Sequence, residues 1–391
     1  MERTIDECFF QIQNGANIKQ GDVDGGFPIT RIETTANDKF NRDRMGYAGI
    51  TDLSKYESYV LEDGDLLMSH INSVQYLGRT VLYEKQDGET IIHGMNLLRL
   101  KARRDIINPA FARYCFYAHP FRSQVANITK KSVNQASFAV TDLKKIRIDV
   151  PDIAEQDSVV DKLDRIRGII EQRNEELVQL DNLIKARFVE MFGTINDNKY
   201  GYDIKTLQDV CEKIKDGTHQ TPEYTEDKEN GFKFLSSKDV TSGKIDWSNI
   251  KYIPESLHKE LYSRISPKRG DLLLAKNGTT GVAAVVDCDE VFDIYVSLAL
   301  LRPISIDSTY LWAAVNSAEA RHQFDGSLKG IGVPNLHLGE IKKTKILVPP
   351  IAKQNEFGEL LKQVDKSKVA VKKALDETKL LFDSLMQEYF G

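Results

Sequence analysis

VPDIAEQ at Val150–Gln156, running on to EMFG at Glu190–Gly193, returns as VPPIAKQ at Val348–Gln354, running on to EYFG at Glu388–Gly391. Phe192 lies as far from Phe390 as Pro151 lies from Pro349, so the two stretches match without insertion. Between their ends apolar residues recur in alternating steps of four and three. The first copy places Val159, Leu163, Ile166, Ile170, Leu177, Leu180, Ile184 and Met191 on one seam, with Arg173 and Arg187 interrupting it. The second places Phe357, Leu361, Val364, Val371, Leu375, Phe382, Leu385 and Tyr389 there, interrupted by Lys368 and Thr378. This is the heptad pattern that wraps one helix around another. An amphipathic helix of this kind also arises by packing on its own globular domain, but two matching seams of equal length favour pairing with each other. The few residues from Thr194 to about Asp203 leave no room for a return connection, so the expected pair is antiparallel. About 35 helical residues at ~1.5 Å each make a rod on the order of 50 Å long. Such a rod holds apart two heads that reach sites about one turn of B-DNA apart, ~34–36 Å.

The repeat continues outside the helices. Ile12-Gln13-Asn14-Gly15 matches Ile214-Lys215-Asp216-Gly217, GDLL at Gly64–Leu67 matches Gly270–Leu273, and TDLKKIRIDVP at Thr141–Pro151 matches GEIKKTKILVP at Gly339–Pro349. Repetition on this scale means two domains of one architecture. The expected division is a globular block over residues 1–146, a spacer helix over 147–198, a second block over 199–344 and a second spacer helix over 345–391. Each block begins with a short helix or strand (Ile5–Ile12, Leu207–Ile214). A polar, Gly-containing stretch follows (Lys19–Thr30, Thr218–Gly231) and reads as an exposed loop. The Gly-Asp turn launches an apolar run (Leu66–Met68, Leu272–Ala275). Next come a polar loop (His70–Gly78, Lys276–Gly281) and a β-rich run (Thr80–Tyr83, Val282–Val286), as in a twisted, mostly antiparallel sheet. Asn108-Pro109 and Asp307 are helix start signals, and one helix is expected through Phe111–Arg122 and through Tyr310–Arg321. A third polar loop (Thr129–Ser137, Leu328–Asn335) precedes a closing strand. The fold class is therefore α+β, two similar α/β domains in pseudo-twofold arrangement separated by an antiparallel coiled coil.

Composition narrows the function. Forty-one per cent apolar and 28% charged residues are ordinary for a globular protein. No apolar run approaches the ~18 residues of a membrane span, and the N-terminus lacks the pattern of an export signal. The four cysteines, Cys8, Cys115, Cys211 and Cys288, are dispersed, so free thiols in the cytoplasm are expected and a zinc site is not. The net charge of −5 weighs against a phosphate-binding surface, but binding needs local basic groups, not a basic total. Lys101, Arg103 and Arg104, then Lys130 and Lys131, Lys144, Lys145 and Arg147, Lys268 and Arg269, and Lys342, Lys343 and Lys345 form such clusters. No nucleotide-binding P-loop, nucleophile elbow or zinc-protease motif occurs. Asn108-Pro109-Ala110-Phe111 lacks the second proline of the adenine-methyltransferase tetrad, and capping accounts for it. No catalytic or metal site is expected.

A polar block, a basic strand ending in proline, then P-x-I-A-x-Q and a long helix, all twice over, resembles the specificity subunit of type I restriction–modification systems. The resemblance covers essentially the whole chain. Asp152 stands where a second proline is commoner, and Lys353 where the first copy has Glu155. The resemblance implies that each block is a target recognition domain reading one half of an asymmetric, bipartite DNA sequence. It implies that the helices set the gap and dock two modification subunits, which methylate adenine, and that two restriction subunits join them. S-adenosylmethionine, ATP and Mg would belong to those partners, with no cofactor and no catalysis in this chain. Base edges are read by polar side chains on loops. The candidates are Asn72, Gln75, Tyr76, Arg79, Lys130, Lys131, Asn134 and Gln135 in the first block. In the second they are His219, Gln220, Lys276, Asn277, Thr279, Thr280, Lys329 and Asn335. Lysines among them would mainly position the phosphate backbone. Two other readings use the same features. A DNA-binding or coiled-coil scaffold without methyltransferase partners would fail to co-elute with them in gel filtration. An enzyme with an unrecognised active site would transfer methyl groups as the isolated chain.

Overall fold

The computed structural model describes every residue except 22–24, 133–134 and 328–334. It forms two compact units, Met1–Asn174 with Lys373–Gly391, and Glu175–Lys372. The boundary cuts both long helices, so each unit owns half of each.

In the first unit Glu2–Thr4 pairs antiparallel with Arg147–Asp149. Thr4 then caps the short helix Ile5–Cys8: its hydroxyl accepts from Glu7 N–H, and the Glu7 carboxylate accepts from Thr4 N–H at 2.6 Å, a reciprocal satisfaction of two orphan donors. Phe9–Asn14 enters an antiparallel four-stranded sheet in the order Phe9–Asn14, Leu97–Ala102, Leu66–Ser69, Thr80–Leu82. The second unit repeats this. Asp203–Thr206 pairs with Lys345–Val348, Thr206 and Asp209 cap the helix Leu207–Val210, and the sheet runs Cys211–Asp216, Leu298–Pro303, Leu272–Ala275, Ala283–Val285. Each first strand carries an irregularity at its start, Phe9/Gln11 and Cys211/Lys213.

The Gly-Asp turns have a physical basis. Gly64 and Gly270 sit at φ 86° and 92°, where a side chain is strained. Asp65 and Asp271 then accept from the backbone N–H three residues back, Glu62 and Lys268, each at 2.8 Å. The strands they launch are buried on both faces, as their unbroken apolar runs require.

Asn108 accepts from Ala110 and Phe111 N–H, and Asp307 from Tyr310 N–H. The helix that follows is two helices in each unit, not one: Pro109–Tyr117 and His119–Ile128, then Ser308–Val315 and Ala318–Gly326. Pro120 accounts for the first break, since it lacks an N–H and clashes with a preceding turn; Ser317 starts the second by capping Ala320. The stretches expected as exposed loops are partly built in. Ile29, Thr30 and Thr218 are buried, and the Thr30 hydroxyl accepts from Gly94 N–H at 2.9 Å.

The long helices are Ile153–Phe192 and Ile351–Phe390. In the first unit Val159, Val160 and Leu163 pack with Phe382, Leu385, Met386 and Tyr389, and Lys162 Nζ meets Tyr389 Oη at 3.1 Å. In the second, Leu180, Ile184, Phe188 and Met191 pack with Phe357, Leu361 and Val364, and Lys368 meets Asp181 at 2.5 Å. Low numbers on one helix face high numbers on the other in each unit, so the pairing is antiparallel within both. Of the apolar seam positions, Val159, Leu163, Ile184, Phe357, Val364, Val371 and Leu375 are buried. Ile166, Ile170, Leu177, Leu180, Met191, Leu361, Phe382, Leu385 and Tyr389 are half-buried. The same helices also belong to each globular core: Val159 and Leu163 share a cluster with Ile5, Phe9 and Phe111.

The glutamine of P-x-I-A-x-Q explains that motif. Gln156 is fully buried; its Oε1 accepts from Asn108 N–H at 2.8 Å and its Nε2 donates to the carbonyls of Ile106 and Pro151. Gln354 likewise accepts from Asp307 N–H at 2.8 Å and donates to Pro349 O. Each long helix is thereby bolted to the capping residue of its own unit's helix pair.

Candidate nucleic-acid interface

In the first unit three short strands, Ile71–Asn72, Ala136–Ser137 and Lys130–Lys131, form an antiparallel sheet with Asn72 and Lys131 both opposite Ala136. Asn72 and Lys131 thus lie on the two outer strands at the end of the sheet where Gln135 enters the central one. Lys130, Lys131 and Gln135 are exposed, free to meet a polyanion. Asn72 is half-buried, and its amide is engaged locally, donating to Ser69 Oγ at 3.2 Å and accepting from Ser73 N–H at 2.8 Å. Gln75 is exposed at the tip of the 3₁₀ turn Val74–Tyr76. The Arg79 guanidinium lies 4.7 Å from the centre of the exposed Tyr76 ring and 2.9 Å from Asp38. That acid fixes Arg79 and offsets part of its charge. Asn134 lies outside the described residues.

The second unit differs. Asn277 and Asn335 form a single antiparallel bridge, closed by Leu336 N–H to Lys276 O at 2.9 Å. His219, Gln220 and Thr279 are exposed, and Asn277 and Asn335 are half-buried. Two of the expected contacts need correcting. Lys276 is buried and paired with Asp216 at 2.7 Å, and Thr280 is 4% exposed; neither is presented to a partner. For Lys276 the partner is a carboxylate far away in sequence. Burial alone would raise the Asp216 carboxyl, but Lys276 and His219, the latter at 3.3 Å, hold it below the ordinary range. Lys329 lies outside the described residues.

Among the described residues no cluster of three or more His, Cys, Asp or Glu could hold a metal ion, and no helix is long and apolar enough to cross a membrane. The candidate residues lie on polar loops carried by the four-stranded sheet of each unit. The family model of the type I restriction modification DNA specificity domain matches residues 2–179 and again 200–378. The chain belongs to this family. It is 32% identical over 190 residues to a putative type I restriction enzyme MjaX specificity subunit of Methanocaldococcus jannaschii, covering 49% of this chain and 44% of that protein. It is 22% identical over 297 residues to the MjaVIII specificity subunit of the same organism, covering 71% and 68%. The chain thus spans less than half the length of the first relative. In fold it is similar to the S subunit of a type I restriction-modification system from M. genitalium, with a TM-score of 0.56 at 14% identity over 100% of this chain and 96% of that one. It is also similar to a chain from a type I system studied for complex assembly, with a TM-score of 0.59 at 17% identity, covering 100% and 97%.

For a specificity-domain protein the informative residues that the sequence did not single out are the acids. Asp38 and Asp216 each restrain a basic side chain of a candidate loop. Asp216 had a signal, since it occupies the matched Ile-x-x-Gly turn; Asp38 lies outside the stretches matched between the two copies.

Proposed function

We propose that this chain is the sequence-reading subunit of a type I restriction–modification complex. Each unit reads one half of an asymmetric, bipartite duplex, the long helices fix the gap and dock two methyltransferase subunits, and two restriction subunits complete the assembly in the cytoplasm. The chain itself is non-catalytic; S-adenosylmethionine, ATP and Mg belong to its partners. One observation carries the reading. Both units build the same four-stranded frame yet present different polar side chains from the loops it supports, Asn72, Gln75, Tyr76, Lys130, Lys131 and Gln135 against His219, Gln220, Asn277, Thr279 and Asn335. Equal frames with unequal loops favour two different half-sites, because donor and acceptor patterns on base edges select the side chains that meet them. The domain family and the named relatives support the same reading. The test is selection of bound duplexes from a random library by the chain together with its modification partners. Two unlike short motifs at one fixed separation are expected. A single contiguous motif, or no preference, would reject it.

A further inference from the structure

Both recognition loops close by the same mechanism although they differ in length and sequence. In the first unit Gly78 N–H donates to Ser69 O and Ser69 N–H to Arg79 O, both at 2.8 Å. In the second, Gly281 N–H donates to Ala275 O and Ala275 N–H to Val282 O, again at 2.8 Å. The two glycines sit at φ 72° and 78°. Across each mouth lies an arginine from the fourth position of the second helix, Arg122 on His119–Ile128 and Arg321 on Ala318–Gly326. Arg122 Nη2 donates to the Gln75 carbonyl at 3.2 Å, and Arg321 Nη1 donates to the Thr280 carbonyl. Each guanidinium lies beside its glycine, next to an apolar side chain of the same helix: a Cβ would stand 3.3 Å from Val125 and 3.4 Å from Arg122 Nη1 at Gly78, and 3.0 Å from Phe324 and 3.1 Å from Arg321 Nη1 at Gly281. The backbone angle favours glycine in both loops, and at Gly281 the packing of Phe324 and Arg321 is tight as well.

We propose that Arg122 and Arg321 are the positioning residues of the two recognition loops, each holding one loop in a single pose so that its polar side chains meet base edges without first being ordered. This rests on the reading of the chain as a DNA specificity subunit. A clamp that grips main-chain carbonyls is indifferent to which side chains the loop carries, which is why it occurs on both loops. Arg321 also pairs with Asp325 at 3.2 Å, so much of its charge is already engaged. Loops ordered in advance lose less entropy on binding, and a loop released from its clamp discriminates less between bases.

The experiment measures duplex binding by the full chain with its modification partners, on the cognate target and on targets with one base changed in either half. In Arg122→Ala, discrimination is expected to fall by roughly five- to tenfold, within the range of one base contact, only in the half read by the first unit. Arg321→Ala should relax only the other half. The unaffected half is the internal control for folding. Arg122→Lys and Arg321→Lys, which keep one donor, should restore part of the discrimination even where alanine abolishes binding. Unchanged discrimination in both alanine variants would overturn the clamp and leave the function intact. A uniform loss of affinity with the salt slope reduced by about one would also overturn it, marking the arginine as a phosphate contact. A wild-type chain that shows no bipartite preference would bring down the functional reading together with the clamp.

Discussion

The two units share a frame and differ in what fills it. Between its first sheet strand and its Gly-Asp turn the first unit inserts 3₁₀ turns, Ile32–Asp38, Arg42–Arg44 and Glu57–Tyr59. The second inserts the strands Phe232–Leu235 and Lys251–Ile253, which join Phe292–Ile294, and the helix Glu255–Arg264. The arginine beside the Gly-Asp carboxylate follows the filling. Arg99 is 1% exposed, sits 3.8 Å from Asp65, and donates to the carbonyls of Ser58 in the 3₁₀ turn and of Val60 just after it. Arg302 instead makes a two-pronged pair with Asp271 at 2.8 and 2.7 Å. Burial pulls the Arg99 guanidinium down, whereas hydrogen bonding to Asp271 pushes Arg302 up. The lesson is that the repeat is strict where backbone polar groups must be satisfied, at caps, Gly-Asp turns and buried glutamines, and loose where side chains face outward.

That contrast breaks most visibly at two lysines from corresponding candidate sets. Lys276→Ala leaves Asp216 half-buried without its main partner and is expected to destabilise the second unit by ~3 kcal/mol, measured by urea unfolding. Lys131→Ala should leave stability unchanged and lower the salt slope of DNA binding by about one. If Lys276→Ala instead acts only on binding, Lys276 contacts DNA and is not a buried partner of Asp216. The buried glutamines come next. Gln156 makes three hydrogen bonds and Gln354 two, so Gln156→Leu should cost about 3 kcal/mol and Gln354→Leu about 2. A reversed order in denaturant melts would break the correspondence between the helix starts. Gln135→Ala is expected to relax one half-site by ~1–3 kcal/mol per lost base contact; binding that still rejects every base change there would remove Gln135 from the interface.

The smallest effect is one of pH and belongs to the first unit. Glu89 is held down to about 2 by hydrogen bonds from Arg42, at 2.9 and 2.7 Å. A carboxyl depressed on folding contributes stability above its unfolded pKa and loses it as pH falls, here between about 5 and 2. Glu89→Gln should therefore flatten the acid side of the stability profile by up to ~1 kcal/mol, with no change at the second unit. An unaltered profile would show that the pair contributes nothing.

Much of this organisation was legible in sequence because it is periodic or local. Heptad steps, N-caps, the Gly-Asp turns and the duplicated junction each declare themselves within a few residues. What was not legible depends on partners distant in sequence. Lys276 stands in a Lys-Asn-Gly-Thr-Thr stretch that looks like any exposed loop, and only Asp216, 60 positions earlier, buries it. Gln156 was visible as part of a motif, but its role required Asn108, 48 positions away. The inserted sheet and helix of residues 232–264 give no long periodic signal, since their strands are three or four residues each. The single helix expected after Asn108 divides at Pro120, a breaker that was in plain sight and outweighed the apolar spacing around it.

The most direct test of the central claim is a genome-wide map of methylated adenines in the source cell with and without this gene. One gapped, asymmetric, two-part motif is expected to be methylated when the gene is present and unmethylated when it is removed. A methylation pattern identical in the two cells would contradict it.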